Sequence, residues 1–184
     1  MTEWRDAAAF FLTSVPEDDE RWLRSLSRTI GLRSDGLRFD DNSRVLPCEW
    51  AGLESRAQLL GGSRGSILVV SYFSREFRDL ARQPDRWRGF CRLFGRACLA
   101  LSPTVAVALG TISDDIPSDI RAIEAPVAEQ DGAWLRSRPY ALSYLCPELD
   151  RAALEESPAS SFPSVVLADG GRVTWDWEYD DFPE

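Results

Sequence analysis

Short apolar runs of strand length alternate with amphipathic stretches along this chain. Three runs stand out, at residues 7–14 (AAAFFLTS), 66–74 (SILVVSYFS) and 104–112 (TVAVALGTI). The run at 66–74 is rich in β-branched and aromatic residues, which favour strands. The unbroken apolar run at 104–112 is typical of a strand buried on both faces. The pattern therefore predicts a strand at each of these positions.

Helical periodicity appears in two regions. In residues 16–31, apolar side chains recur three or four residues apart, acids crowd the first turn, and Gly31 provides a C-terminal stop. Residues 75–103 form a basic helical region in which Pro84 separates two helices and Asp85 is placed to cap the second. The apolar stripe of that second helix comprises Trp87, Phe90, Cys91, Phe94, Cys98 and Leu101.

The segments between these elements carry weaker patterns. Residues 34–50 are rich in turn formers and predict one short strand at 37–39, whereas residues 51–66 fit either a helix or an edge strand. Residues 113–132 are acidic and contain two prolines. Because proline interrupts helices, we expect a surface excursion there with a single helical turn.

The C-terminal third completes the pattern of elements. The sequence predicts a strand at residues 140–145, a short helix at 147–157 and a closing β-hairpin at 164–179. Asp169, Gly170 and Gly171 supply the turn of that hairpin.

Strands and helices mix without regular alternation, and no seam divides the chain. We therefore predict an α+β fold, with a mixed or mostly antiparallel sheet and helices packed on it. Residues 1–179 are predicted to form a single domain, followed by an acidic C-terminal tip at 180–184. No apolar run reaches the roughly 18 residues that span a membrane, and acids precede the first apolar run, unlike in a signal peptide. We expect a cytoplasmic protein that does not enter membranes.

The basic residues narrow the chemistry open to the chain. All 21 are arginine, and there is no lysine and no histidine. Catalysis by an imidazole base or by a Ser–His or Cys–His pair is therefore excluded, as is any phosphate-binding or Schiff-base lysine. The four cysteines lack zinc-site spacing and are predicted to be reduced thiols, mostly in the core. They are Cys48, Cys91, Cys98 and Cys146. We predict no cofactor and no metal.

Charge is distributed unevenly along the sequence. The net charge is −9. Residues 1–96 contain 16 arginines and 14 acids, a net charge of +2, whereas residues 97–184 contain 5 arginines and 16 acids, a net charge of −11. An acidic half disfavours nucleic-acid phosphates and anionic membranes. It either favours a basic protein partner or simply keeps the protein soluble.

A glycine-rich motif and three acid pairs are candidate sites. Residues 61–65 (GGSRG) match the pattern G-x-S-x-G around Ser63, but no histidine is present to activate the serine. The same loop can cradle a phosphate with help from Arg64, or it can be a flexible turn. The acid pairs are candidate ligands for Mg²⁺ or Ca²⁺, but they lack the spacing of an EF-hand site. These pairs are Asp40–Asp41, Asp114–Asp115 and Asp180–Asp181.

Seven arginines lie within residues 75–96, against three acids. They are Arg75, Arg78, Arg82, Arg86, Arg88, Arg92 and Arg96. Contact with nucleic acid is one interpretation. We favour a solvated helix face whose arginines pair with nearby acids and are neutralised by the acidic C-terminal half.

The C-terminal stretch VTWDWEYDDFPE alternates at period two. Val173, Trp175, Trp177 and Tyr179 fall on one side of a strand, and the residues between them fall on the other. This predicts a half-buried strand with inward aromatics and an acidic outer face. The predicted partner-binding residues are Asp176, Glu178, Asp180 and Asp181, with Asp114, Asp115 and Asp119 as a second acidic patch.

Two classes of function stay open. The first is an acidic interaction domain that binds and neutralises a basic partner, most concretely an immunity protein that inhibits a toxin encoded nearby, for example a nuclease. The second is a small-ligand or nucleotide-binding domain, or an enzyme that uses arginine and carboxylates. We favour the first, which needs no catalytic residue. Neither the partner's identity nor the oligomeric state follows from the sequence.

Overall fold

An eight-stranded antiparallel sheet forms the centre of the molecule. The computed structural model describes residues 6–110, 116–137, 140–156 and 162–176. The strand order across the sheet is β2-β3-β4-β1-β5-β6-β8-β7. The strands are β1 Asp6–Leu12, β2 Val45–Trp50, β3 Leu53–Gly62, β4 Gly65–Tyr72, β5 Val105–Ala108, β6 Leu142–Leu145, β7 Ser164–Val166 and β8 Arg172–Trp175. The α+β prediction with a mostly antiparallel sheet is confirmed.

Six helices cover the two faces of this sheet within the described residues. They are α1 Asp19–Ile30, α2 Ser74–Ala81, α3 Pro84–Leu101, α4 Ile116–Glu129, α5 Gly132–Arg136 and α6 Pro147–Glu156. Apolar residues of α1, α2 and α3 share one core with the sheet, and those of α4, α5 and α6 share the other. The chain therefore forms three layers, with the sheet in the middle. None of the described helices is long and apolar enough to cross a membrane.

The central strand explains the unbroken apolar run near the N-terminus. Strand β1 pairs with β4 on one side and with β5 on the other, and all seven of its residues are buried. Ala8 and Phe10 face the α1–α3 core, whereas Ala9 and Phe11 face the α4–α6 core. A strand with helices on both faces needs apolar residues at every position.

Aromatic side chains fill the core under α2 and α3. The Phe90 ring lies 5.2 Å from the ring of Trp50 and 5.1 Å from that of Phe77, measured between centroids. The indole N–H of Trp50 donates to the Ile30 carbonyl at 3.0 Å, which satisfies one of the carbonyls left open at the end of α1. Gly31 follows in the left-handed region with φ of 73°, as the predicted helix stop requires.

The cap predicted at Asp85 is wrong. Helix α3 begins one residue earlier, because Pro84 occupies the first helical position and Gln83 is the cap, without a side-chain hydrogen bond. Proline suits that position since its missing N–H has no helical partner there. Asp85 lies instead in the first turn of α3.

Two predictions for residues 34–66 change with the structure. The strand predicted at 37–39 is absent, and β2 lies at Val45–Trp50 instead, where Leu46, Cys48 and Trp50 alternate inward. The ambiguous segment 51–66 contains strand β3. It is joined to β2 by a two-residue turn in which both φ angles are positive, 54° at Ala51 and 75° at Gly52, as tight hairpins need.

The acidic segment 113–132 was the largest error of prediction. Most of its described part, residues 116–132, is helix α4, which has 14 residues in place of a single helical turn. Ile116, Ile120 and Ile123 recur at helical spacing and are buried against the sheet. Burial of this stripe outweighs the interruption at Pro126, which lies inside the helix. Helix α5 was not predicted, although Asp131 caps it by accepting the Trp134 N–H at 2.8 Å.

The closing hairpin is confirmed as β7 and β8, paired antiparallel. At its turn the Asp169 carboxylate accepts the Gly171 N–H at 2.9 Å and the Tyr144 hydroxyl at 2.6 Å. Val173 and Trp175 point inward as predicted, but Thr174 is also buried, at 6% exposure. The outer face of the strand was predicted to be exposed to solvent, but at Thr174 it is buried. Trp177, Tyr179 and the boundary between 179 and 180 lie outside the described residues.

Candidate functional site

Exposed arginines dominate the helical layer formed by α2 and α3, named here the basic layer. These two helices and Arg82, which lies between them, contain seven arginines and three acids. Arg88 lies 3.5 Å from the Asp85 carboxylate. Across the described parts of the chain, the other six arginines form no ion pair with an acid. The basic layer therefore presents cationic groups to solvent, as predicted, but with little of the predicted pairing.

The opposite layer, named here the acidic layer, is formed by α4 and α6. These helices contain seven acids and two arginines. Two of the acids are engaged: Glu124 with Arg121 at 2.5 Å, and the buried Asp150 with Arg172 at 2.9 Å. The other five are exposed and form no ion pair with any described residue. They are Asp119, Glu129, Glu148, Glu155 and Glu156.

The sheet keeps these two charged layers apart. The acids of α4 and α6 lie on one of its faces and the arginines of α2 and α3 lie on the other. The expected neutralisation of the arginines by the C-terminal half is therefore not achieved by contact between the two layers. The molecule has a basic side and an acidic side, each free to attract a partner of opposite charge.

Two of the predicted partner-binding residues lie in the described regions. Asp119 is exposed on the first turn of α4, and Asp176 is half-buried directly after β8. The other predicted residues lie outside the described parts of the chain. They are Glu178, Asp180, Asp181, Asp114 and Asp115.

The sheet register places the ends of strands β5 and β8 near each other. Strands β5 and β8 run parallel, with β6 between them, and Ala108 and Trp175 both pair with Leu142. Both strands thus end at the same end of the sheet, about 10 Å apart at two strand spacings. Gly110 and Asp176 lie there, and the chain continues from each into one of the predicted patches.

A buried carboxyl also occupies this end of the sheet. Asp6 is 1% exposed, and it accepts hydrogen bonds from the N–H groups of Ala7 at 2.8 Å and Gly110 at 3.1 Å. Burial raises its pKa to about 7, although these hydrogen bonds and the charge of Arg78 act against the rise.

The GGSRG motif forms the turn between β3 and β4 and is not a nucleophile elbow. A strand lies on each side of Ser63, whereas an elbow needs a helix after the serine. The Ser63 N–H donates to the Glu124 carboxylate, and Arg121 holds the loop by donating to the Gly61 carbonyl at 3.0 Å. Arg121 also lowers the pKa of Glu124 through a hydrogen bond. The backbone donor that a phosphate would use is thus already occupied by a carboxylate.

Three of the cysteines are core residues, as predicted. Cys48, Cys91 and Cys98 are buried and Cys146 is partly buried, and all four are free thiols. Burial raises the pKa of Cys48 to about 12 and raises those of the others as well. Thiols of this kind are poor nucleophiles at neutral pH. In the described ranges, no group of three or more cysteine or acidic side chains is arranged to hold a metal ion.

The acids missed by sequence reasoning are those of the helices. Glu129, Glu148, Glu155 and Glu156 were counted in the acidic half but were not assigned to a surface. The signal was available in the isoleucine spacing of 113–132, which defines a helix and hence an outer face for its acids.

Comparison with known proteins adds little. No protein-family model matches the chain, and no curated protein matches it. A solved structure of a T6SS protein of Pseudomonas aeruginosa, PA0821, is similar over 96% of this chain and 68% of its own length, with 15% identity and a TM-score of 0.37. Similarity of that extent establishes neither a shared fold nor a shared function.

Proposed function

We propose that this chain is a protein-interaction domain whose acidic layer binds a basic surface of a partner protein and neutralises it. The most concrete form of this function is that of an immunity protein that inhibits a toxin. The observation that carries the proposal is the set of five exposed acids on α4 and α6 that form no ion pair within the described structure.

The arrangement of charge supports binding rather than stability. The buried Asp150 is paired with Arg172, whose side chain is 22% exposed. No exposed acid of the acidic layer has such an ion pair with an arginine of the described residues. Like charges on one side of a protein repel one another, but they attract a basic partner from a distance and speed its association.

The two predicted residues in the described regions extend this surface. Asp119 belongs to α4 itself, and Asp176 lies at the end of the sheet from which the chain continues toward α4. A partner that contacts the acidic layer and this end of the sheet would meet both. Inhibition by such contact needs no catalytic group, only coverage of a basic site on the partner.

Co-expression with the products of the adjacent genes tests the proposal. We expect one of these proteins to co-purify with this chain, to bind it with a dissociation constant below micromolar, and to arrest cell growth when it is produced alone. Binding should weaken as salt is added, because exposed charges are screened. If no neighbour-encoded protein binds more tightly than micromolar, the proposed function is wrong.

A pair of charge-reversal variants locates the surface. The double variant Glu148→Arg/Glu155→Arg, in the acidic layer, should associate with that partner roughly tenfold more slowly. The matched control reverses the charge on the other side of the sheet, with Arg75→Glu and Arg82→Glu, and should leave association no slower. Equal losses in both variants would contradict the assignment to the acidic layer.

A further inference from the structure

A groove on the basic side of the molecule lies between helix α3 and the turn that joins β2 to β3. Its volume is about 480 Å³, within the range of about 300–1,000 Å³ that is common for small-molecule sites. Its lining includes Arg33, Glu49, Ala51, Arg86, Gly89 and Arg96. The groove is separate from the acidic layer, because the sheet lies between them.

The charges around the groove sum to +2. Three arginines line it, against one carboxylate. Glu49 is engaged with Arg33, whose guanidinium lies 3.2 Å from the carboxylate. Arg86 and Arg96 are exposed and form no ion pair with the described acids. Two guanidinium groups at this groove are therefore available to an anion.

Small residues keep the floor of the groove open. Gly89 lies in the interior of α3, where glycine weakens a helix, yet a Cβ there would meet nothing within 4 Å. The fold itself therefore gives no reason for glycine at this position. Ala51 adopts a φ of 54°, a conformation that asparagine or glycine reaches with less strain. Larger side chains at either position would narrow the groove.

We propose that this groove binds a small molecule that carries a phosphate group, with Arg86 and Arg96 as the groups that hold the phosphate oxygens. The forked guanidinium matches the oxygens of phosphate and remains charged at every physiological pH. A phosphate monoester carries about −1.5 to −2 charges at neutral pH, which matches the surplus of +2 better than a single carboxylate does. Leu93 is the one large apolar side chain in the lining, so the groove offers little to an apolar ligand.

A second groove in the basic layer provides the control. It lies on α2, has a volume of about 460 Å³, and is lined by Arg75, Arg78, Asp79 and Arg82. It has a similar surplus of arginines but no glycine floor. An anion attracted only by the general charge of the basic layer would bind both grooves alike, whereas a built site would bind its ligand at one of them.

Isothermal titration of the purified chain with pyrophosphate, ADP and citrate, at matched ionic strength, tests the proposal. We expect pyrophosphate or ADP to bind, and citrate to bind more weakly by roughly tenfold or more. The double variant Arg86→Gln/Arg96→Gln should weaken phosphate binding by roughly tenfold or more. Binding of ADP but not pyrophosphate would identify a nucleotide as the source of the phosphate. Arg75→Gln with Arg82→Gln should change the affinity less than about twofold.

Gly89→Gln is the decisive variant, because it adds no charge and faces open space in the folded chain. We expect it to remain folded and to lose phosphate binding, with Gly89→Ala showing a smaller loss. Three results would overturn the proposal: no binding of either phosphate compound, equal losses at both grooves, or full binding by Gly89→Gln. Capture of the neighbour-encoded partner is a separate measurement and fails or succeeds independently of this one.

Discussion

The buried carboxyl of Asp6 makes the stability of this chain depend on pH in the sense opposite to that of a paired aspartate. Its side chain is almost fully buried at the end of the sheet, and its strongest contacts are two backbone N–H groups. Burial disfavours the charged form and raises the pKa from its ordinary 3.8 to about 7.

The sign and the size of the effect follow from proton linkage. Below about pH 4 the carboxyl is neutral in both the folded and the unfolded chain, and it costs nothing. Between pH 3.8 and about 7 the unfolded chain has released the proton and the folded chain has not, so stability falls as pH rises. Above that range the full penalty applies. At about 1.4 kcal/mol per pKa unit, it amounts to about 4 kcal/mol.

Asp6→Asn isolates this effect, because asparagine is neutral at every pH and keeps an oxygen that accepts from Ala7 and Gly110. We expect the variant to match the original chain near pH 4 and to exceed its free energy of unfolding by about 4 kcal/mol near pH 8. Urea denaturation at both pH values measures the difference, with the exposed Asp41→Asn as the control. A gain that does not change with pH, or no gain near pH 8, would show that ionisation of Asp6 does not control stability.

Four further predictions concern stability, each measured by urea denaturation. Trp175→Ala should cost about 3–5 kcal/mol because the indole is buried; a loss below about 1 kcal/mol would mean that the strand end is loosely packed. Gly171→Ala should cost about 1–3 kcal/mol, since a Cβ there would overlap the Tyr144 ring, and a neutral result would show that the ring moves aside. Gly89→Ala should stabilise by about 1 kcal/mol, because its Cβ meets open space in a helix interior; destabilisation would contradict that geometry. Glu155→Arg, in the last turn of α6, should change stability by less than about 0.5 kcal/mol, and a loss as large as that of Trp175→Ala would show that this acid serves the fold.

The elements that could be predicted from the sequence are those whose pattern depends on near neighbours. Strand β1 is an unbroken apolar run and helix α1 buries residues at helical spacing, and both patterns can be recognised in the chain itself. Strand β2 was misplaced because its pairing with β3 depends on a turn at Ala51 and Gly52, and an unusual alanine stands where asparagine would have signalled that turn.

The sequence predicts the negative charge of the candidate binding surface but not its location. The charge imbalance between the halves was visible in the sequence, but the separation of acids from arginines by the sheet is a consequence of topology. It depends on α4 and α6 packing opposite α2 and α3. Reading residues 113–132 as an excursion hid this arrangement, because acids in a loop have no defined outer face.

The proposed function assigns recognition of a basic partner to the acidic layer. The most direct test measures the rate at which this chain associates with its neighbour-encoded partner, at low and at high salt. It compares two double variants: Glu148→Arg/Glu155→Arg in the acidic layer and the control Arg75→Glu/Arg82→Glu in the basic layer. We expect association to be roughly tenfold slower for the acidic-layer variant alone, with the difference shrinking as salt rises. Unchanged association for that variant at low salt would contradict the claim.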